Sequence, residues 1–98
     1  MDNEFLAIAV VRPFEDREAD VFTLLRDFYS LLASKGYCRD VLLQSSKDPT
    51  RLINLRYWKS DQSRREAAED PEVHRYWHAL SEIAEVEKVY EQLHEVKL

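Results

Sequence analysis

Apolar residues along the chain recur with two different spacings. Phe5 to Arg12 is short, almost wholly apolar and β-branched toward its end, the pattern of a strand covered on both faces. Pro13 ends it, and Asp16 is placed to cap a helix whose first turn holds Glu18 and Asp20. Val21, Leu25, Phe28 and Leu32 then recur at helical spacing, widened by Phe22, Leu24, Tyr29 and Leu31. Lys35-Gly36 supplies a basic last turn and a left-handed stop. Residues 37–46 and 50–59 read as two strands joined in a hairpin by Ser-Ser-Lys-Asp-Pro-Thr. In the second of them Leu52, Asn54, Arg56 and Trp58 share one face, and Ile53, Leu55 and Tyr57 the other.

Ser60 or Asp61 caps a short polar helix running to about Glu69. Asp70-Pro71 restarts it, with Asp as N-cap and Pro at the first helical position. Val73, Trp77, Leu80 and Ala84 form the buried stripe of that helix. The last segment supports two readings. Ile83, Val86, Val89/Tyr90, Leu93 and Val96 repeat about every 3.5 residues, which favours one long helix from Pro71 onward. Alternatively, Tyr90 to Leu98 closes the fold as a strand. With that strand the order is strand, helix, strand, strand, helix, strand, and a four-stranded antiparallel sheet with both helices on one face satisfies it. Phe5–Arg12 and Leu52–Tyr57 are too apolar to leave the second face wet, and a chain this short has no spare element to cover it. A second copy packed sheet to sheet is the expected solution.

Length and composition narrow the class. Ninety-eight residues, 45% hydrophobic and 34% charged, suit one soluble globular domain spanning 1–98. Fourteen Lys+Arg against nineteen Asp+Glu leave a net charge of −5, so no nucleic-acid or anionic-membrane partner is expected. The lone Cys38 cannot form an internal disulfide, which points to a reducing, cytoplasmic compartment. No apolar run approaches a membrane span, and the acidic start Met1-Asp2-Asn3-Glu4 lacks the basic flank of a signal peptide.

The residues able to do chemistry are few. His74 and His78 stand four apart and share a helix face, the spacing of a metal pair. Arg75 follows the first His where a zinc protease needs Glu. Cys38, Asp40 and His94 are scattered, so no metal centre is expected; one His as axial haem ligand is the milder alternative. Trp58, Trp77, Tyr57 and Tyr76 can line a pocket for a flat apolar ligand or serve as core. Asn54 and Arg56 interrupt an apolar strand and, if covered, need partners or a ligand oxygen to orient. Arg39 beside Cys38 is a candidate for lowering the thiol pKa. One glycine cannot build a phosphate loop, and Arg64-Arg65 reads as a solvated helix face.

The stretch from Tyr57 to His78 resembles a known family. Tyr-Trp-Lys-Ser-Asp-Gln-Ser, then six residues, Asp-Pro-Glu-Val-His, an apolar helix and a Tyr-led final segment are similar to the antibiotic-biosynthesis-monooxygenase-like family of dimeric α+β barrels. The resemblance implies an α+β, ferredoxin-like βαββαβ sheet, dimerised face to face, with a ligand cleft between sheet and helices. It also implies that Tyr90 onward is a strand. In the haem-degrading branch the site looks like an Asn on the first strand, a Trp on the helix and a His near its end. Here His78 or His74 fills the His place, no Asn lies in Phe5–Arg12, and Ala67 stands in the Trp place. In the quinone-forming branch Asn, Trp and Tyr near the third strand hold a phenolic substrate, and Asn54, Tyr57 and Trp58 are the matching types. The resemblance thus implies a cofactor-independent monooxygenase acting on a small aromatic or phenolic substrate. Asn54, Trp58 and His78 would be catalytic, and Tyr57, His74 and Trp77 would bind the ligand. The alternative is a non-catalytic homodimer that binds a small ligand, haem included.

Overall fold

A computed structural model describes residues 4–98. The elements follow in the order β1 (Phe5–Pro13), α1 (Glu18–Ser34), β2 (Cys38–Gln44), β3 (Leu52–Trp58), α2 (Asp61–Glu69), α3 (Pro71–Ile83) and β4 (Ala84–Leu93). The strands form one antiparallel sheet in the order β2-β3-β1-β4, with the helices on one face. This is the α+β, ferredoxin-like arrangement expected from the sequence, with the second helical stretch divided at Asp70 into two helices.

Local chemistry accounts for the element ends. The Ser60 side chain accepts from the Ser63 N–H, and Asp70 accepts from the Glu72 N–H with Pro71 in the first turn. After α1, Gly36 sits at φ 74°. Its N–H donates to Ala33 and that of Tyr37 to Leu32, the paired bonds of a Schellman stop. The helix start departs from expectation. Asp16 does not cap α1; it lies in the left-handed region at φ 65°, which its short polar side chain tolerates. Arg17 occupies the cap position without a side-chain cap bond and pairs with Asp20 at 3.0 Å.

The C-terminal third corrects both earlier readings. The helix from Pro71 stops at Ile83, and the strand begins at Ala84, ahead of Tyr90, and ends at Leu93. Ala84 and Val86 pair with Pro13 and Val11, while Glu85 and Glu87 pair with Arg12 and Val10. The period here is two, apolar toward the helices and acidic away from them. Phe14 donates to the Ile83 carbonyl at 2.9 Å and closes the corner.

Two apolar clusters join the layers. Val11, Leu52 and Ala84 of the sheet meet Val21 and Leu25 of α1 and Leu80 of α3. Phe28, Leu32, Cys38, Ala67 and Val73 form the second cluster. By strand alternation Leu6, Ile8, Val10, Val41, Leu43, Ile53, Leu55 and Tyr57 occupy the opposite face, away from the helices. Leu43 there is 47% exposed. No described helix is long and apolar enough to cross a membrane.

Candidate functional site

Alternation along β3 sends Asn54, Arg56 and Trp58 toward the helices. β1 meets them with Ala9 opposite Asn54 and Ala7 opposite Arg56. Two alanines at these positions leave space that larger side chains would fill. The result is a cleft of about 340 Å³ between sheet and helices. Trp58 and Trp77 wall it, and Asn54 and Arg56 lie at its floor. Lys88, Tyr90 and Glu91 of β4 complete it. The β1–β4 register shifts on either side of Ile8, and such irregularities re-aim side chains locally.

Behind the floor lies a buried polar cluster. The Asp40 side chain is fully enclosed, and Arg56 Nε donates to its Oδ1 at 2.6 Å. Asn54 Nδ2 donates to the same oxygen at 3.1 Å. An ionised carboxylate only accepts, so this contact fixes the amide orientation and turns Asn54 Oδ1 away from Asp40. The Tyr29 hydroxyl lies beside this amide. The Arg56 guanidinium is held over the rings of Phe28, Trp58 and Trp77 at 5.3, 5.5 and 5.6 Å, close enough for cation–π attraction. Trp77 stands edge-on to Phe28, and Tyr76 stacks on it.

Two further groups of this cluster are inert. Cys38 donates weakly to Asp40 Oδ2 at 3.5 Å, and burial pushes its thiol pKa up to about 12. Arg39 does not lower it: neighbouring strand residues face opposite ways, and Arg39 lies over the Tyr57 ring at 4.1 Å instead. The Tyr29 hydroxyl is buried without a hydrogen-bond partner. Burial and the nearby Asp40 carboxylate raise its pKa.

The six residues singled out from the sequence separate into two groups. Asn54, Trp58 and Trp77 line the one cleft. Tyr57 faces the opposite side of the sheet under Arg39. His78 projects from α3 into solvent, 3.0 Å from Glu82. His74 is exposed and turned onto the Ala68 carbonyl. Neither histidine belongs to the cleft lining, so neither is placed to act as an axial haem ligand there. Among the described residues no group of three or more His, Cys, Asp or Glu is arranged to hold a metal ion. Arg64 carries more than a solvated face, because it pairs with Asp61 at 2.9 Å and also lines the cleft. Lys88 and Tyr90 gave no sequence signal, since their placement depends on the β1–β4 register.

A comparison with curated proteins finds no match. Solved structures match over nearly the whole chain. SnoaB, a cofactor-independent oxygenase from Streptomyces nogalater, aligns with TM-score 0.82 at 15% identity, covering 96% of each chain. A conserved protein of unknown function from Bacteroides thetaiotaomicron aligns with TM-score 0.81 at 12% identity, covering 95% of this chain and 100% of that one. Rv0793 from Mycobacterium tuberculosis aligns with TM-score 0.75 at 18% identity, covering 97% and 100%. At these identities the likeness is one of fold. The sequence profile of the family described as antibiotic biosynthesis monooxygenase matches residues 4–80, and the chain belongs to that family.

Proposed function

We propose that this protein is a cofactor-independent monooxygenase that oxidises a small phenolic or polycyclic aromatic substrate in the cleft between sheet and helices. One observation carries the reading: Asn54, Trp58 and Trp77 surround a single cleft large enough for a fused-ring ligand. Family membership and the fold shared with an oxygenase described as cofactor-independent support it. The indoles of Trp58 and Trp77 take the aromatic rings by stacking or edge contact. Asn54, at the cleft floor, hydrogen-bonds the phenolic group through its side-chain amide and orients it.

The chemistry is the substrate's own. Loss of the phenolic proton to water makes the ring electron-rich at the para carbon. That carbon reduces dioxygen and bonds to it; protonation gives a hydroperoxide. Loss of the ring C–H proton with cleavage of the O–O bond then releases water and leaves a quinone. For 1-naphthol the balance is one dioxygen consumed, one 1,4-naphthoquinone and one water formed. The histidines outside the cleft take no part.

We further propose that the active form is a homodimer. The sheet face bearing Leu6, Ile8, Val41, Leu43, Ile53, Leu55 and Tyr57 closes against a second copy, because a contiguous apolar face of this kind is costly to leave in water. An oxygen electrode with a panel of phenols and anthrones tests the enzymatic reading. Uptake matched by quinone formation is expected from at least one of them. No uptake above a buffer blank from any would leave only a ligand-binding protein.

A further inference from the structure

Three cations, Arg56, Arg64 and Lys88, line the cleft of this acidic chain. Each stands beside a carboxylate: Asp40, Asp61 and Glu91 respectively. Arg56 is the informative member. Its side chain is only 7% exposed, yet its one hydrogen bond to protein runs through Nε. The terminal nitrogens Nη1 and Nη2 have no hydrogen-bond partner among the described residues, neither is fully enclosed, and Arg56 lines the cleft. A guanidinium used only to neutralise Asp40 would be expected to meet it with two parallel bonds. Here Asp40 holds it from behind, three rings hold its sides, and the paired donor edge stays available. That edge matches a carboxylate in geometry and charge.

We propose that the cleft is specific for an aromatic acid: the Arg56 fork takes the ligand's carboxylate while Trp58 and Trp77 hold its ring, with Lys88 attracting the anion at the rim. The proposal deepens the reading above and rests on the same cleft being the ligand site. Arg56 is positioned before the ligand arrives, so little ordering is needed on binding. Lys88 is loosely engaged, 3.8 Å from Glu91 at the surface, and free to turn toward an anion. Glu91 offsets part of the charge at the mouth, which leaves the discrimination to the floor. Asp40 acts as a positioning residue through Arg56.

Isothermal titration with 2-naphthoate and its neutral isostere 2-naphthamide tests this. The expected result is naphthoate binding at least about tenfold tighter than the amide, with an advantage that shrinks as salt rises. Arg56→Gln alone leaves Asp40 buried without its cation, so the double variant Asp40→Asn/Arg56→Gln is used, with circular dichroism to confirm folding. It should erase the preference while retaining amide binding. Lys88→Met, at an exposed site that tolerates change, should weaken naphthoate about two- to fivefold. Equal affinity for the two probes, binding of neither, or a preference that survives both variants would overturn the proposal. Oxygen uptake with 1-naphthol is recorded on the same preparation. Its failure alongside an intact naphthoate preference removes the oxygenase reading and leaves the acid site standing.

Discussion

Phe28 shows how one side chain serves both packing and site. It is fully buried, stacks with Tyr76, meets Trp77 edge-on and lies under the Arg56 guanidinium. Phe28→Ala should cost about 3–5 kcal/mol in denaturant unfolding and loosen the cleft wall. A loss under about 1 kcal/mol would mean the rings do not depend on it. Asp70 makes a pH-dependent link of another kind. Hydrogen bonds from Lys35 and Tyr37, at 2.7 Å each, lower its pKa to about 2. The unfolded carboxyl titrates near ~3.9. The stabilising contribution is therefore complete above pH ~4 and is lost as pH falls toward 2. Asp70→Asn should flatten the thermal-unfolding profile between those values; an unchanged acid slope would show that the link is immaterial. Cys38, enclosed and with a raised pKa, should resist aromatic disulfide reagents at pH 8 until denaturant is added. Sequence alone identified Asn54 and Arg56 as polar residues needing partners. It did not identify Asp40 as that partner, because the contact spans two strands.

At the scale of elements, local chemistry was legible wherever one residue type decides the backbone. Gly36, Ser60 and Asp70-Pro71 punctuate the chain as their side chains dictate. Gly36→Ala tests this: an added Cβ would meet only Lys59 Nζ at 4.0 Å. Its cost, about 1–2 kcal/mol, should therefore come from the positive φ alone. A variant as stable as the parent would show that the backbone adapts. Asp16 misled because its type suits both a cap and a left-handed turn. The end of α3 misled more seriously. Ile83, Val86 and Tyr90 satisfy a helical repeat, while Ala84, Val86 and the intervening acids satisfy a strand, and only pairing with β1 decides between them. That register also brings Lys88 and Tyr90 to the cleft, so this side of the site was invisible before the strand was placed.

For the whole molecule, the alternating face of β3 made the layer arrangement readable. The inner face met helices, and the outer face was left apolar. Light scattering at micromolar concentration should give twice the chain mass of 11.7 kDa. Leu55→Glu on that outer face should shift the mass to one chain, and a parent that is already single-chain would remove the sheet-to-sheet assembly. The histidine pair looked like chemistry in the sequence, but helix geometry sends His78 to Glu82 and His74 to the Ala68 carbonyl. The most direct measurement is an amide and indole NMR titration of the 15N-labelled chain with 1-naphthol. Shifts should concentrate on Ala7, Ala9, Asn54, Arg56 and Lys88 and on the indole N–H groups of Trp58 and Trp77. Shifts centred on the His74–His78 surface, or on the Tyr57 face of the sheet, would contradict the placement of the ligand in the cleft.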